Sequence, residues 1–291
     1  MYLPDIQLHQ PATLDQACEM MEGLGPDARL LAGGTDLLVD LKTGRLSAQH
    51  LISVGRIPSM RGAGARNGGL CIGALTTPTQ LIADATVSRR FAPIRDAACQ
   101  MASPHIRNLA TVGGNIASAV PCADLPPILM AMNASLVIWS RDGERELPLD
   151  SFFVGVRRTK LKIGEILTQV HVPEHPPRFG AAYARFALRD GNAIAVAGVA
   201  ASLLLDDSNT VRDARIVLGA VAPIPKLAQR AAALLNNQPA DEDSFSSAAA
   251  AAAEEAEPIS DVRGSADFRR ELVNVLTRRA LMTALEQARG R

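Results

Sequence analysis

The stretch ARLLAGGTDLLVDLK, residues 28–42, decides how this chain is read. A short apolar run meets two glycines, and an amphipathic segment begins at once behind them. The order is strand, glycine turn, helix. Such a turn leaves several backbone N–H groups unpaired, with no Cβ to block close approach. That concavity can receive a phosphate or pyrophosphate, and Thr35 adds a hydroxyl beside it. The stretch has neither the third glycine of a dinucleotide fingerprint nor the Gly-Lys-Ser/Thr of a P-loop. Alone, it reads first as a tight turn with Thr35 or Asp36 capping the helix.

A second stretch repeats the chemistry: NLATVGGNIASAVPCADLPPILMAM, residues 108–132. Gly113 and Gly114 open the backbone, and Thr111, Asn115 and Ser118 carry hydrogen-bonding groups. Asp124 precedes Leu125-Pro126-Pro127, so its plain role is a helix cap with prolines in the first turn. Two glycine-lined loops from neighbouring units suit a long dinucleotide better than a single phosphate.

Around these motifs the chain divides in three: residues 1–56, 57–175 and 176–291. In the first, Thr13 and Gln16 have capping-box spacing for a helix over 13–24, stopped by Gly25 and Pro26. ARLLA and HLISVG flank a short helix that ends before Gly44, a βαβ order that predicts a small parallel sheet. In the second, GLCIGALTTPTQLIAD reads as strand, turn and helix, and RRFAPIRDAACQMAS as an amphipathic helix. SLVIWS-RDGE-RELPL reads as a hairpin, with Trp139 as core, and ILTQVHVP as a further strand. The Pro-rich PEHPPRFG is a linker. Beyond it, strands over 181–189, 193–205 and 211–222 predict an antiparallel meander. Two helical stretches follow, an alanine run at 248–253 and a final helix with Phe268, Leu272, Val275, Leu276 and Leu281 on its apolar face.

Composition narrows the function. The chain has 291 residues, enough for two or three units. Its 47% hydrophobic and 21% charged residues are globular in character. Lys and Arg balance Asp and Glu at 30 each, so nucleic acid is not an expected partner. No run approaches the ~20 apolar residues of a membrane span, and no basic-then-apolar leader is visible; a cytoplasmic protein is expected. Cys18, Cys71, Cys99 and Cys122 form no C-x-x-C pair and read as buried reduced thiols. Pro173 interrupts the only close histidine pair, His171 and His175, so no metal site is expected in the chain.

ARLLAGGTDLLVDLK and TVGGNIASAVPCADLPPILMAM resemble the flavin-binding medium subunit of molybdenum hydroxylases, whose members include the carbon monoxide and xanthine dehydrogenase flavoproteins. The resemblance runs through PATLDQA, GEILTQVHVP and YARFALRDGNAIAVAG, in order, over nearly the whole chain. It implies an α+β fold: two α/β subdomains of the vanillyl-alcohol-oxidase type holding FAD between them, and a C-terminal three-stranded antiparallel sheet with helices. Carried over residue by residue, it assigns Arg29, Leu30, Leu31, Ala32, Gly33, Gly34, Thr35, Asp36 and Leu37 to the pyrophosphate loop. It assigns Thr111, Gly113, Gly114, Asn115 and Ser118 to the second loop, and Met101 is a further candidate cofactor contact. Asp124 falls to the adenosine side. Leu167 and Arg185 fall beside the flavin ring, Arg185 where a lysine is usual. Ala193 stands where some members place a ring-stacking tyrosine, and the cysteine-rich insert of the 4-hydroxybenzoyl-CoA reductase branch is missing.

The resemblance further implies that the chain relays electrons. The molybdenum cofactor would sit on a large partner subunit and 2Fe–2S clusters on a small one, in a dimer of heterotrimers. No general acid or base is then expected here, because the flavin carries the redox chemistry. Two rival readings are a stand-alone flavin oxidase and a flavin-free assembly module.

Overall fold

The computed structural model describes residues 5–290. The first unit is built from β1 (Gln7–His9), α1 (Leu14–Leu24), β2 (Ala28–Leu31), α2 (Leu37–Lys42) and β3 (His50–Ser53). Its sheet has order β1-β3-β2, with both pairings parallel as the βαβ pattern requires. Thr13 caps α1 by accepting from the Gln16 N–H at 3.2 Å. Gly25, at φ 61°, ends the helix in a conformation that favours glycine.

The second unit contains β4 (Ala63–Arg66), β5 (Gly69–Gly73) and a run of short helices. These are α3 (Pro78–Ala83), α4 (Ala85–Arg90), α5 (Ala92–Gln100), α6 (Pro104–Leu109), α7 (Val112–Ala117) and α8 (Leu125–Ala131). Strands β6 (Ser135–Ser140), β7 (Gly143–Pro148), β8 (Phe153–Gly155), β9 (Arg158–Thr159) and β10 (Ile166–Val172) complete it. The main sheet has order β4-β5-β10-β6-β7, all antiparallel. The expected amphipathic helix over 89–103 is two helices, broken at Phe91. Pro93 in the first turn of α5 lacks the N–H that a continuing helix would need.

The third unit holds β11 (Phe179–Ala187), β12 (Ala195–Leu205), β13 (Val211–Gly219) and the two-residue β14 (Lys226–Leu227), paired antiparallel in that order. Helices α9 (Gln229–Ala233), α10 (Glu242–Glu255) and α11 (Ala266–Ala288) complete it. The buried stripe of α11 keeps Leu276 and Leu281 of the expected face but not Phe268. It runs through Val273, Leu276, Ala280, Ala284 and Ala288, while Phe268 is 43% exposed. The cause is close approach to β11, where a Cβ on Gly180 would stand 2.0 Å from the Ala284 carbonyl oxygen. Small residues set the part of that face that lies against β11.

Helix α8 is wholly buried and joins the second unit to the third. Ser202 donates to the Ala131 carbonyl at 2.8 Å, and the Ala220 N–H to Pro121 at 2.9 Å. The linker is pinned too, with the His175 ring stacked on Phe179 at 3.8 Å between centroids. The four cysteines are unpaired; only Cys18 is buried, and Cys99 is exposed. Among the described residues no helix is long and apolar enough to cross a membrane.

Candidate functional site

A cleft of about 460 Å³ opens where the three units meet, within the size range of small-molecule sites. One wall is the loop and helix over 29–40. The second runs from Met101 to Asp124, with Arg157 added from the turn between β8 and β9. The third is the loop between β11 and β12, through Asn192, Ala193 and Ile194. The Asn192 N–H donates to the Ala102 carbonyl at 2.9 Å and fixes that loop against the second wall.

The first wall follows from its glycines. Gly34 has φ +74°, and Gly33 lies so close to the second wall that a Cβ would stand 1.9 Å from the Leu109 carbonyl oxygen. The backbone N–H groups of Gly33, Gly34, Thr35 and Asp36 find no acceptor among the described residues. Neither Thr35 nor Asp36 caps α2 through its side chain. Four consecutive free donors in a cleft, with no Cβ on two of them, fit the oxygens of a pyrophosphate.

The second motif is built differently. Gly113 and Gly114 lie in the first turn of α7, not in an open turn. Val112 N–H donates to Thr76 at 2.9 Å and Gly113 N–H to Ala74 at 2.8 Å. Gly114 N–H donates to the Thr111 hydroxyl at 3.0 Å, and Asn115 N–H to the Thr111 carbonyl at 2.9 Å. The backbone is already satisfied, so this wall offers side chains and a close Cα surface. Gly113 faces away from the cleft, where a Cβ would stand 2.6 Å from Ala74 Cβ.

Of the anticipated residues, Arg29, Leu30, Ala32, Gly33, Gly34, Thr35, Asp36, Leu37, Met101, Thr111, Gly114, Asn115, Ser118 and Asp124 line the cleft together. Leu31, Gly113, Leu167 and Arg185 stand behind its walls. Leu31 points into a small core with Leu41 and Leu51. Leu167 is 5% exposed within the main core on β10. Arg185 is held behind Asp124, its Nη1 donating to both carboxylate oxygens at 3.0 and 3.1 Å. The Tyr183 hydroxyl donates to the same carboxylate at 2.9 Å. Burial pushes the Asp124 carboxyl up, against the pull of Arg185 and then of Tyr183. Asp124 makes no side-chain cap to α8, because its oxygens are taken by these two donors. Asp124 and Arg185, expected at the adenosine and ring ends of the cofactor, are thus in direct contact, and only Asp124 lines the cleft.

The sequence reading passed over Asp40, Ala102, Ile106, Cys122, Arg157 and Asn192, which also line the cleft. Asp40 could have been found: it lies four residues after Asp36, on the same face of α2. Arg157 carries no local signal, since its position depends on the β8–β9 turn.

A family model described as the FAD binding domain in molybdopterin dehydrogenase matches residues 4–175, and one for the CO dehydrogenase flavoprotein C-terminal domain matches residues 181–284. The xanthine dehydrogenase FAD-binding subunit of Escherichia coli O157:H7 is 33% identical, with 97% of each chain covered. The carbon monoxide dehydrogenase medium chain of Hydrogenophaga pseudoflava is 34% identical, with 97% of each covered. A solved carbon monoxide dehydrogenase from the same organism, lacking the Mo-pyranopterin moiety of the molybdenum cofactor, superposes with TM-score 0.94 at 34% identity over 98% of both chains. With the glycine loops, the three-walled cleft and these matches, the chain belongs to the family of FAD-binding subunits of molybdenum-containing dehydrogenases.

Proposed function

We propose that this chain is the electron-transfer subunit of a molybdenum hydroxylase, with FAD in the three-walled cleft and its pyrophosphate on Ala32–Asp36. The observation that carries the placement is the run of four unpaired N–H groups at the glycine pair. Bound FAD supplies the redox chemistry, taking electrons from 2Fe–2S clusters on a small subunit and passing them to an external acceptor. The chain's own residues bind and orient. The first loop receives the diphosphate, and the Asp124–Tyr183–Arg185 cluster fixes a buried carboxylate on the cleft wall. Ala193 and Ile194 form the apolar part of the third wall.

In this reading a large subunit holds the molybdenum cofactor and reacts with the substrate, and the assembly is a dimer of heterotrimers. Full-length similarity to a medium chain and to an FAD-binding subunit supports it. A cytoplasmic setting accords with four unpaired thiols, one of them exposed. The native assembly is expected to carry one non-covalent FAD per copy of this chain, released on denaturation. Substrate should bleach the flavin in the assembly and leave it unchanged in this chain alone. Bleaching of the lone chain by substrate would overturn the relay and favour a stand-alone oxidase.

A further inference from the structure

The loop that offers free N–H groups to a diphosphate also carries acids. Asp36 follows the glycine pair, Asp40 lies one helical turn later, and both line the cleft. Two carboxylates beside a dianionic ligand repel it unless a cation compensates.

Two arginines line the cleft. Arg29 is turned onto backbone, its Nη1 donating to Pro26 at 2.5 Å and Ala28 at 2.7 Å. Arg157 comes from the opposite wall, and its Nη1 donates to Asp40 Oδ2. The Arg157 backbone is left-handed at φ 58°, and its N–H donates at 2.9 Å to Ala119, itself at φ 46°. Two non-glycine residues in this conformation at one contact mark a wall whose shape is fixed by its surroundings. Asp40 also pairs with Arg45 at 2.5 Å, and Arg45 stands outside the cleft. Asp40 therefore keeps a partner without Arg157. The Arg157 side chain is 37% exposed and has guanidinium donors to spare.

We infer that Arg157 is the charge-compensating residue of the cleft: it offsets Asp36 and Asp40, ties the β8–β9 turn to α2, and supplies positive charge to the dinucleotide's diphosphate. This rests on the FAD reading above. A plain wall-to-wall ion pair would predict the same loss on removing either partner, Asp40 or Arg157. The compensating role predicts opposite effects of the two on FAD affinity.

The test is FAD titration of the deflavinated native assembly, followed by flavin fluorescence, with melting temperature measured alongside. Arg157→Gln keeps a donor for Asp40 and removes the charge; affinity should fall about tenfold. Arg157→Lys should recover most of that loss. Asp40→Asn added to Arg157→Gln should recover part of it, because one acid has gone. Wild-type affinity in Arg157→Gln, or an Arg157→Lys variant as weak as Arg157→Gln, would overturn the inference. Should Arg157→Gln fail to assemble, Asp40→Asn alone decides. With the arginine in place, removing one acid should tighten FAD about threefold, and unchanged or weaker binding overturns the assignment. A wild-type assembly that carries no flavin and takes none up removes the FAD reading and this inference with it. A flavin-bearing wild type with an unaffected Arg157→Gln removes only the inference.

Discussion

The two glycine pairs look alike on paper and are unlike in space. At Gly33 and Gly34 the backbone leaves four N–H groups free, and the side chains around them make no cap. At Gly113 and Gly114 every N–H from Val112 to Asn115 already has a partner within the chain. On the proposed reading the first pair receives an anion. The second is a packing device that lets α7 lie against the end of β5 and presents Asn115, Ser118 and Asp124 to the cleft. A glycine pair beside a threonine thus marks close approach, and what approaches must be read from the hydrogen bonds.

Substitutions can break this comparison. The largest effect is expected at Gly33→Val, which puts side-chain atoms onto the Leu109 carbonyl and should cost about 4 kcal/mol or more. Urea denaturation and flavin content should both collapse. Next comes Asp124→Ala, which leaves the 6%-exposed Arg185 side chain without its counter-ion. Breaking a buried pair in this way should cost about 3–5 kcal/mol. Asp124→Asn, which keeps one acceptor oxygen for Arg185 and Tyr183, should cost clearly less in the same melt.

Gly34→Ala sharpens the contrast. Its cost is the left-handed backbone at φ +74° and a contact at 3.0 Å with Leu38, about 1–2 kcal/mol, and it should appear as weaker FAD binding. Gly114→Ala meets only the Thr111 hydroxyl, at 2.8 Å, and should cost about 1 kcal/mol of stability with FAD affinity nearly unchanged. Thr111→Ala, which removes the α7 cap, should match it in thermal melts at about 1 kcal/mol. If Gly114→Ala weakened FAD while Gly34→Ala spared it, the roles of the two pairs would be reversed.

Local order made much of this legible from the sequence. The Thr13 cap, the strand–turn–helix at Ala28–Lys42, the hairpin at Ser135–Pro148 and the meander from Phe179 to Gly219 all follow from signals a few residues long. What escaped was set by distant contacts. β1 is three residues long, with no apolar run to mark it. Asp124 has the sequence context of a cap, yet its carboxylate goes to two residues about sixty positions away. The final helix turns alanines inward and Phe268 outward, because its distance from β11 depends on Gly180. Arg157 reaches Asp40 through a turn whose position no local pattern encodes.

The third wall of the cleft comes from Asn192–Ile194, about two-thirds of the way along the chain. That fixes an order of events in biosynthesis. Until this segment has left the ribosome and paired through β12, the pyrophosphate loop can exist, but the groove beside it stays open on one side. A dinucleotide held as proposed, by all three units, would thus be loaded late. Once loaded it acts as a staple, since pulling any unit away releases it, and free flavin in excess raises the melting temperature of the whole chain by mass action.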